Sequence, residues 1–277
     1  MILRYKVESD QITIKDYLSK VGLPNSLIAR IRSQNGKLIV NDQQVLNYYV
    51  LSKGDLLEVI LPDEDKSINV IPVKSHFEIV YEDSYFLIIN KEPGLPSIPA
   101  YHHENQSLAN YVMEYYYEKG IVANIHFVSR LDAPTSGLVL IAKNGYIHYL
   151  MQEIPIIKKY LLKVRGRISN REGVIEGGIF KSPGSMIKRA FTDDFINSRT
   201  SYKVLSETDD ESIVEATLHT GKTHQLRVHF SHIGHPIIGD KLYGNEEGRL
   251  YLHSYYLEFV HPVTKEKMEF IAKPDDF

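Results

Sequence analysis

The sequence predicts an α+β protein with a small domain followed by a larger one. Segments with strand patterns are mixed with only a few helical ones, and they do not follow the regular β-α-β alternation of an α/β fold. The chain has 277 residues, which exceeds the usual size of a single domain. With 43% apolar and 24% charged residues, its composition is that of an ordinary globular protein that can bury a core.

The first domain, residues 1–62, is predicted to hold two helices followed by a hairpin. Apolar residues recur at helical spacing in TIKDYLSKVGL, and the glycine and proline after it end that helix. A second helix, in SLIARIRSQNG, has Ser26 as its candidate N-cap and ends at Gly36. KLIVNDQQV alternates around an Asn-Asp turn, and GDLLEVILP is a further strand. Residues 63–75, polar and bounded by proline, are predicted to be a linker.

The larger domain, residues 76–277, is predicted to consist mainly of strands. FEIVYEDSYFLIIN is predicted to form two strands around a turn at residues 82–84, and residues 107–120 an amphipathic helix. Further strands are predicted in GLVLIAK, YLLKVRG, RTSYKVLS and SIVEATLHT, and another helix in KTHQLRVHFSHIG. The chain shows no internal repeat and no low-complexity segment.

Composition excludes several kinds of site. Without cysteine there are no disulfides, thiolate nucleophiles, iron–sulfur clusters or cysteine-ligated zinc, and such a chain suits a reducing cytosol. No stretch approaches the about 18 to 20 apolar residues of a membrane helix, and the beginning has no apolar signal segment, so a cytoplasmic protein is expected. The net charge of −3 argues weakly against nucleic acid. Residues 158–171, KKYLLKVRGRISNR, nevertheless carry six basic and no acidic side chains, as a solvated strand edge or an RNA-facing surface would.

One candidate for chemistry is HFVSRLDAPTSGL, residues 126–138. It places Arg130 and Asp132 in a turn rich in Pro, Thr, Ser and Gly, with apolar residues around them. Taken alone, Asp132 fits an Asx-type turn, in which the carboxylate binds its own backbone, as well as it fits a catalytic carboxylate. Ser136 is a candidate hydrolase nucleophile by residue type only, because GxSxG is absent.

A second candidate is the histidine-rich segment TGKTHQLRVHFSHIGHPIIGDKLYG, residues 220–244. Its histidines His224, His229, His232 and His235 suggest a metal site. Zinc ligands must converge on one point, however, and the segment has neither HExxH nor a nearby acidic partner. Structural or RNA-facing histidines are therefore preferred, and no metal is expected.

These segments, in this order, resemble the RluA-type family of pseudouridine synthases. The resemblance rests on NKEPGLPS, RLDAPTSGLVLIAKN, KKYLLKVRG and the histidine-rich segment, and it spans about residues 76–265. Through GKLIVNDQQV and KGDLLEVILP, the N-terminal unit is similar to the small RNA-binding domain shared with ribosomal protein S-four. The resemblance implies a mixed, largely antiparallel catalytic sheet with flanking helices and a central RNA-binding cleft, preceded by a small α/β RNA-binding domain.

The resemblance also implies roles for individual residues. Asp132 corresponds to the family's catalytic aspartate, and Arg227 to the arginine that pairs with it. A guanidinium favours the ionised carboxylate, and its fork can hold both oxygens. Tyr160 corresponds to the tyrosine that lines the uracil pocket and is available to help remove a proton from the base; the alternative is an ordinary core aromatic. The reaction breaks the base–sugar bond, turns the base over and rejoins it through carbon, so no cofactor is required.

RNA is the expected partner, and the N-terminal unit favours ribosomal over transfer RNA. The target base must be flipped out of its stack, and loop residues around the cleft can fill the gap or contact phosphate. Basic residues of the N-terminal unit are further candidates, although exposed cations on a helix are often merely solvated. The candidate RNA contacts are Arg130, Lys222, His224, Arg30, Arg32 and Lys37. No membrane and no obligatory protein partner is expected, and the protein is expected to be a monomer.

Some positions depart from the family pattern. Ser129 stands where histidine is usual, and Ala133 and Pro134 follow Asp132 in place of acidic or polar residues. Lys222 replaces the usual arginine, which keeps the charge but not bidentate phosphate recognition. A non-catalytic RNA-binding or ribosome-assembly factor on the same fold therefore stays an alternative, as does a synthase acting on tRNA.

Overall fold

The computed structural model describes residues 1–64, 70–100, 104–274 and 276–277. Its contacts divide the chain into two compact units. The first consists of Met1–Ile68, Tyr116–Asn124 and Asn144–Tyr146, and the second of Asn69–Tyr115, Ile125–Lys143 and Ile147–Phe277. The domain limits drawn from the sequence, with a linker at 63–75, stay a prediction; the described residues of that linker lie in neither helix nor strand.

The first unit combines short strands with two helices. Its elements are β1 (Ile2–Lys6), β2 (Ile12–Thr13), α1 (Ile14–Lys20), α2 (Asn25–Ser33), β3 (Lys37–Val40), β4 (Gln43–Val45), β5 (Val50–Leu51) and β6 (Leu56–Ile60). Four strands form an antiparallel sheet in the order β1-β6-β3-β4, and β2 pairs with β5. The sequence predicted this hairpin and both helices, but not β1.

Local chemistry explains the ends of these elements. The β3–β4 turn is made by Asn41 and Asp42, both with positive φ (48° and 67°), as the Asn-Asp pair predicted. The prediction that Ser26 caps α2 was wrong, because the helix begins at Asn25 and no side chain caps it. The helix also ends at Ser33 rather than at the predicted Gly36.

The second unit is built around one large sheet. Its strands are β7 (Glu78–Glu82), β8 (Phe86–Lys91), β9 (His126–Phe127), β10 (Ser136–Ala142), β11 (Ile157–Arg165), β12 (Glu172–Lys181), β13 (Arg189–Thr192), β14 (Ser198–Glu207), β15 (Glu211–Leu218), β16 (Leu252–Val260) and β17 (Lys267–Ile271). The further helices are α3 (Leu108–Glu118), α4 (Gly145–Met151) and α5 (Gln225–His232), of which α3 and α4 contribute residues to both units.

The described strands of this sheet follow the order β13-β12-β14-β15-β11-β16-β10-β8-β7, with β17 beside β16 and β9 beside β10. Among these pairings only that of β10 with β16 is parallel. The predicted α+β class with a largely antiparallel sheet is confirmed. Because β11 lies between β15 and β16, the basic residues it carries are not on a sheet edge.

Strand β10 fixes the loop that precedes it. All seven of its residues are buried. Gly137 has a φ of 109°, and a Cβ there would lie 2.2 Å from the Ser254 carbonyl oxygen of β16. Only glycine therefore allows the two strands to approach this closely. The loop of residues 128–135 thus leads into the middle of the sheet.

Candidate active site

A cavity of about 840 Å³ opens in the second unit. It is lined by the loop of residues 128–135, by β11, by the loop of residues 218–224 and by the start of α5. This volume is that of a small-molecule or nucleotide pocket. The cavity brings together the catalytic and RNA-contact candidates that the family resemblance implies for the second unit, namely Arg130, Asp132, Tyr160, Lys222, His224 and Arg227.

The loop that carries Asp132 is held through its backbone. Ser97 Oγ donates to the Leu131 carbonyl at 2.7 Å and accepts from the Leu131 amide at 3.2 Å. The turn closes when the Thr135 amide donates to the Asp132 carbonyl at 3.1 Å. Within the described residues the Asp132 carboxylate makes no hydrogen bond, so the Asx-type turn is not formed, and its side chain lines the cavity with 30% exposure. Ser129, in place of the usual histidine, uses Oγ to accept from the Leu140 amide at 3.0 Å.

A buried lysine lies against the same loop. Lys91, only 1% exposed, donates through Nζ to the carbonyls of Glu92, Leu95 and Ala133 at 2.8–3.1 Å. Burial lowers the pKa of Lys91 to about 7, while the charge of Asp132 opposes this shift. Three carbonyl acceptors favour the ammonium form. Lys91 therefore joins the NKEPG segment to the residue that follows Asp132.

Arg227 lies on α5 between two carboxylates. Its Nε and Nη2 atoms donate to the two oxygens of Asp240, each at 2.7 Å, while its Nη1 atom lies 3.8 Å from Asp132 Oδ2. The expectation that the arginine fork holds both oxygens of Asp132 was therefore wrong, and the bidentate partner is Asp240. Burial opposes the charged form of Arg227, but the hydrogen bonds and charge of Asp240, with the charge of Asp132, raise its pKa overall.

His224 precedes α5 in a left-handed backbone conformation, with a φ of 59°. Its Nδ1 atom lies 2.9 Å from Tyr243 Oη, and its Nε2 atom 3.8 Å from Asp132 Oδ2. Tyr243 Oη accepts from the Arg189 amide at 2.8 Å, so its own hydrogen is available to His224 Nδ1. We infer from this polarity that a neutral His224 carries its proton on Nε2, the nitrogen nearer Asp132. Burial lowers the pKa of His224; the charge of Asp132 opposes this shift, and the charges of Arg227 and Arg189 add to it.

Tyr160 lines the cavity from β11. Opposite the step from Lys159 to Tyr160, β16 carries one extra residue, and this bulge sets Tyr160 against Ser254. Burial raises the pKa of Tyr160 to about 12, with a contribution from the charge of Asp132 and an opposing one from a hydrogen bond with Ser254. The phenol therefore keeps its proton at neutral pH. It is buried like a core aromatic and lines the cavity as well.

The remaining RNA-contact candidates fall into two groups. Arg130 and Lys222 are exposed and line the cavity. Arg30, Arg32 and Lys37 belong to the first unit, where Arg30 donates to Gln34 Oε1 at 3.1 Å and the other two are exposed. The structure thus brings the first pair to the same cavity as Asp132.

The other histidines of the segment point to different partners. His229 is buried, with Nε2 2.9 Å from Ser198 Oγ and Nδ1 3.0 Å from Thr200 Oγ1. His232 stacks on the ring of Phe191 at 3.8 Å. Over the described ranges of the chain, no group of three potential metal ligands is found. The histidine-rich segment therefore builds the sheet–helix interface and one side of the cavity.

Ser136 pairs with a histidine away from the cavity. Its Oγ lies 2.8 Å from His253 Nδ1, and His253 Nε2 lies 2.8 Å from the carbonyl of Ala272. The carbonyl requires a proton on Nε2, so Nδ1 accepts from the serine hydroxyl. Both side chains are buried and neither lines the cavity. This arrangement does not resemble an exposed hydrolase nucleophile.

The sequence did not single out Asp240, Tyr243 or Lys91. Asp240 and Tyr243 stood in the quoted GDKLYG run, and Lys91 in NKEPG, but nothing in the sequence shows which atoms they contact.

Among the described helices, none is long and apolar enough to cross a membrane.

Comparison with known proteins agrees with this geometry. Residues 85–232 match the family model described as RNA pseudouridylate synthase. The chain is 39% identical over 268 residues to the RNA pseudouridine synthase YjbO of Bacillus subtilis, covering 94% of this chain and 95% of that protein. It is 32% identical to ribosomal large subunit pseudouridine synthase D of Buchnera aphidicola, covering 80% and 78%. The solved structure of human RNA pseudouridylate synthase domain containing 1 superposes with a TM-score of 0.60 at 26% identity, covering 73% of this chain and 85% of that one.

Proposed function

The chain belongs to the RNA pseudouridylate synthase family, and from this premise we propose that it isomerises specific uridines of ribosomal RNA in the cavity around Asp132. The protein is an RNA pseudouridine synthase, which is an isomerase. The observation that supports the site is the position of Asp132. Its carboxylate lines the cavity, faces Arg227 and His224 at 3.8 Å each, and makes no hydrogen bond to any described residue.

In this proposal Asp132 is the catalytic carboxylate. The turn holds it through backbone atoms, so both carboxylate oxygens remain available to the flipped nucleotide. Arg227 stabilises the ionised form through its charge at 3.8 Å, without covering either oxygen. Neutral His224 adds an Nε2–H donor beside the carboxylate. No cofactor is needed, because the reaction neither oxidises nor hydrolyses its substrate.

Tyr160 holds the base in this proposal. A phenol whose pKa is raised to about 12 is a poor proton acceptor at neutral pH. The tyrosine therefore positions the uracil ring and donates a hydrogen bond, and it does not serve as the base that removes the ring proton. Arg130 and Lys222, exposed and lining the cavity, contact phosphates beside the flipped nucleotide.

The substrate is proposed to be RNA of the large ribosomal subunit. Relatives at 30–32% identity carry the names ribosomal large subunit pseudouridine synthase C and D. We propose that the first unit is an S-four-like RNA-binding domain, with Arg30, Arg32 and Lys37 as phosphate contacts. The protein then works in the cytoplasm as a monomer.

The test is tritium release from RNA labelled at carbon five of uridine. Ribosomal and transfer RNA are purified separately from cells that lack the protein and are incubated with the wild type, Asp132→Asn or Asp209→Asn. Asp209 is exposed and does not line the cavity, so its variant controls for loss of one charge. We expect release from ribosomal RNA by the wild type and by Asp209→Asn, and none by Asp132→Asn.

Each other outcome has a definite meaning. Turnover by Asp132→Asn would remove the catalytic assignment from this residue. Release from transfer RNA alone would move the substrate to tRNA. RNA binding without release by the wild type, from either RNA, would favour a non-catalytic RNA-binding or assembly factor.

A further inference from the structure

The basic run of residues 158–171 is largely neutralised within the protein. Four of its six cations form ion pairs with carboxylates, and a fifth donates to a backbone carbonyl. The partners are Lys159 with Glu215 at 3.3 Å, Lys163 with the Asp276 carbonyl at 3.2 Å, Arg165 with Glu246 at 2.5 Å, and Arg167 and Arg171 with Glu207 at 2.9 and 3.1 Å. This run is therefore not a continuous basic surface for RNA.

Lys158 is the exception. In the described part of the chain its ammonium has no carboxylate within 4.0 Å and no hydrogen bond. Its side chain also points into the cavity, because Lys158 and Tyr160 are two residues apart on β11 and both line the cavity. Lys159, on the other face of the strand, does not line it. The alternation of a β-strand thus sends one cation of the run into the cavity.

The Lys158 side chain is half-buried and has no counter-charge among the described residues. The same cavity is also lined by the apolar side chains of Met151, Ile154 and Ile156. Burial alone lowers the pKa of Lys158, and no acidic group opposes it. A cation that has lost hydration without gaining a partner is costly, and a bound anion removes that cost.

The position of Lys158 separates it from the reacting atoms. Lys158 and Tyr160 line the same cavity from positions two residues apart on β11, which corresponds to about 7 Å along the strand. Lys158 is therefore displaced along β11 from the base that Tyr160 holds in the proposed function. The anion that an RNA strand offers at such a distance from the reacting base is its phosphate.

We propose that the Lys158 ammonium binds a backbone phosphate of the RNA strand that carries the target uridine. This phosphate subsite rests on the proposed function, since it takes the cavity around Asp132 as the place where the nucleotide enters. A lysine suits a single phosphate oxygen as a compact point charge. The subsite supplements Arg130 and Lys222 with a contact inside the cavity.

The test is the salt dependence of RNA binding. Binding of the full chain to ribosomal RNA from cells lacking the protein is measured between about 50 and 200 mM salt, in an Asp132→Asn background that excludes turnover. Lys158→Met and Lys158→Gln remove the cation, Lys158→Arg keeps it, and Lys159→Met removes the neighbouring cation that Glu215 already neutralises. Each phosphate contact with a single strand contributes about 0.7 to the slope of log K against log salt.

We expect Lys158→Met and Lys158→Gln to bind more weakly and to lower that slope by about 0.7. Lys158→Arg and Lys159→Met should keep the slope of the parent. An unchanged slope in Lys158→Met overturns the proposal. If Lys158→Met with Asp132 intact also lost turnover while the slope stayed unchanged, the cation would act on the base and not on a phosphate. Failure of the proposed function shows separately, as RNA binding by the wild type without tritium release.

Discussion

Replacement of Asp240 by asparagine tests how Arg227 is held. The two hydrogen bonds of 2.7 Å from Arg227 reach both oxygens of Asp240, and Arg227 is only 4% exposed. Asp240→Asn removes the charge and one acceptor while keeping the shape. The guanidinium then stays buried, with Asp132 at 3.8 Å as its nearest remaining carboxylate.

The size of the effect follows from the burial of this pair. Breaking one partner of a buried ion pair costs about 3 to 5 kcal/mol, because the other charge is left uncompensated. For a chain of this length 1 kcal/mol corresponds to about 2 to 4 °C in Tm, so Asp240→Asn should lower Tm by about 6 to 20 °C. Asp132→Asn is the matched comparison, since it removes the carboxylate at 3.8 Å from the same arginine. Its Tm should change by no more than about 3 °C, because the Asp132 carboxylate makes no hydrogen bond within the described residues.

The assay is thermal unfolding of both single variants, with Arg227→Met/Asp240→Asn as a third protein. This double variant removes the uncompensated guanidinium and keeps a side-chain oxygen for the amides of Leu242 and Tyr243, so it should unfold above Asp240→Asn. It should also be inactive, since it lacks Arg227. If Asp132→Asn lost as much stability as Asp240→Asn, the reasoning would be refuted, because Asp132 would then be the structural partner of the arginine.

Two further changes test the histidines of the same segment. Tyr243→Phe removes the hydroxyl that donates to His224 Nδ1. Nitrogen NMR of labelled histidine should therefore show His224 protonated on Nε2 in the wild type and a mixture of tautomers in the variant, whose kcat should be lower. A wild type protonated on Nδ1 would contradict this. Burial lowers the pKa of His229 to about 4, whereas its value in the unfolded chain is about 6.5. Between these two values the native state binds fewer protons than the unfolded state. The free energy of unfolding should therefore fall by about 3 kcal/mol as the pH drops from about 6.5 to about 4. Urea unfolding at several pH values should show this loss in the wild type, and His229→Gln should reduce it. Equal pH dependence in the two proteins would contradict the assignment.

The predicted fold was most accurate where periodicity and turn chemistry agree. The hairpin at Asn41 and Asp42 and the helix α5 were both predicted from local pattern. The strand β12 was missed because Gly177 and Gly178 interrupt its apolar alternation and suggest a turn. In the structure a Cβ at Gly177 would meet the Phe191 ring at 2.1 Å, so this glycine makes room for β13 and does not end the strand.

The residues of the candidate site were predicted better than their contacts. Motif order led to Asp132, Tyr160 and Arg227, and all three line one cavity. The partner of Arg227 was assigned wrongly, because the sequence offers several carboxylates and gives no distances. Asp240 lies thirteen residues after Arg227, and only the return of the chain after α5 brings it to the guanidinium. Contacts made by loop returns depend on tertiary structure and have no signature in local sequence.

The arrangement around Asp132 solves a conflict between fixing a carboxylate and leaving it reactive. Side-chain hydrogen bonds to its oxygens would hold it in place but would also occupy the atoms that must meet the nucleotide. In this structure the donors Lys91 and Ser97 bind instead the carbonyls of Ala133 and Leu131, on either side of Asp132. The arginine that could cover the carboxylate is itself held by Asp240. The backbone contacts thus fix the position of Asp132, and Arg227 supplies a charge 3.8 Å from Asp132 Oδ2. The carboxylate lines the cavity without a hydrogen bond from any described residue.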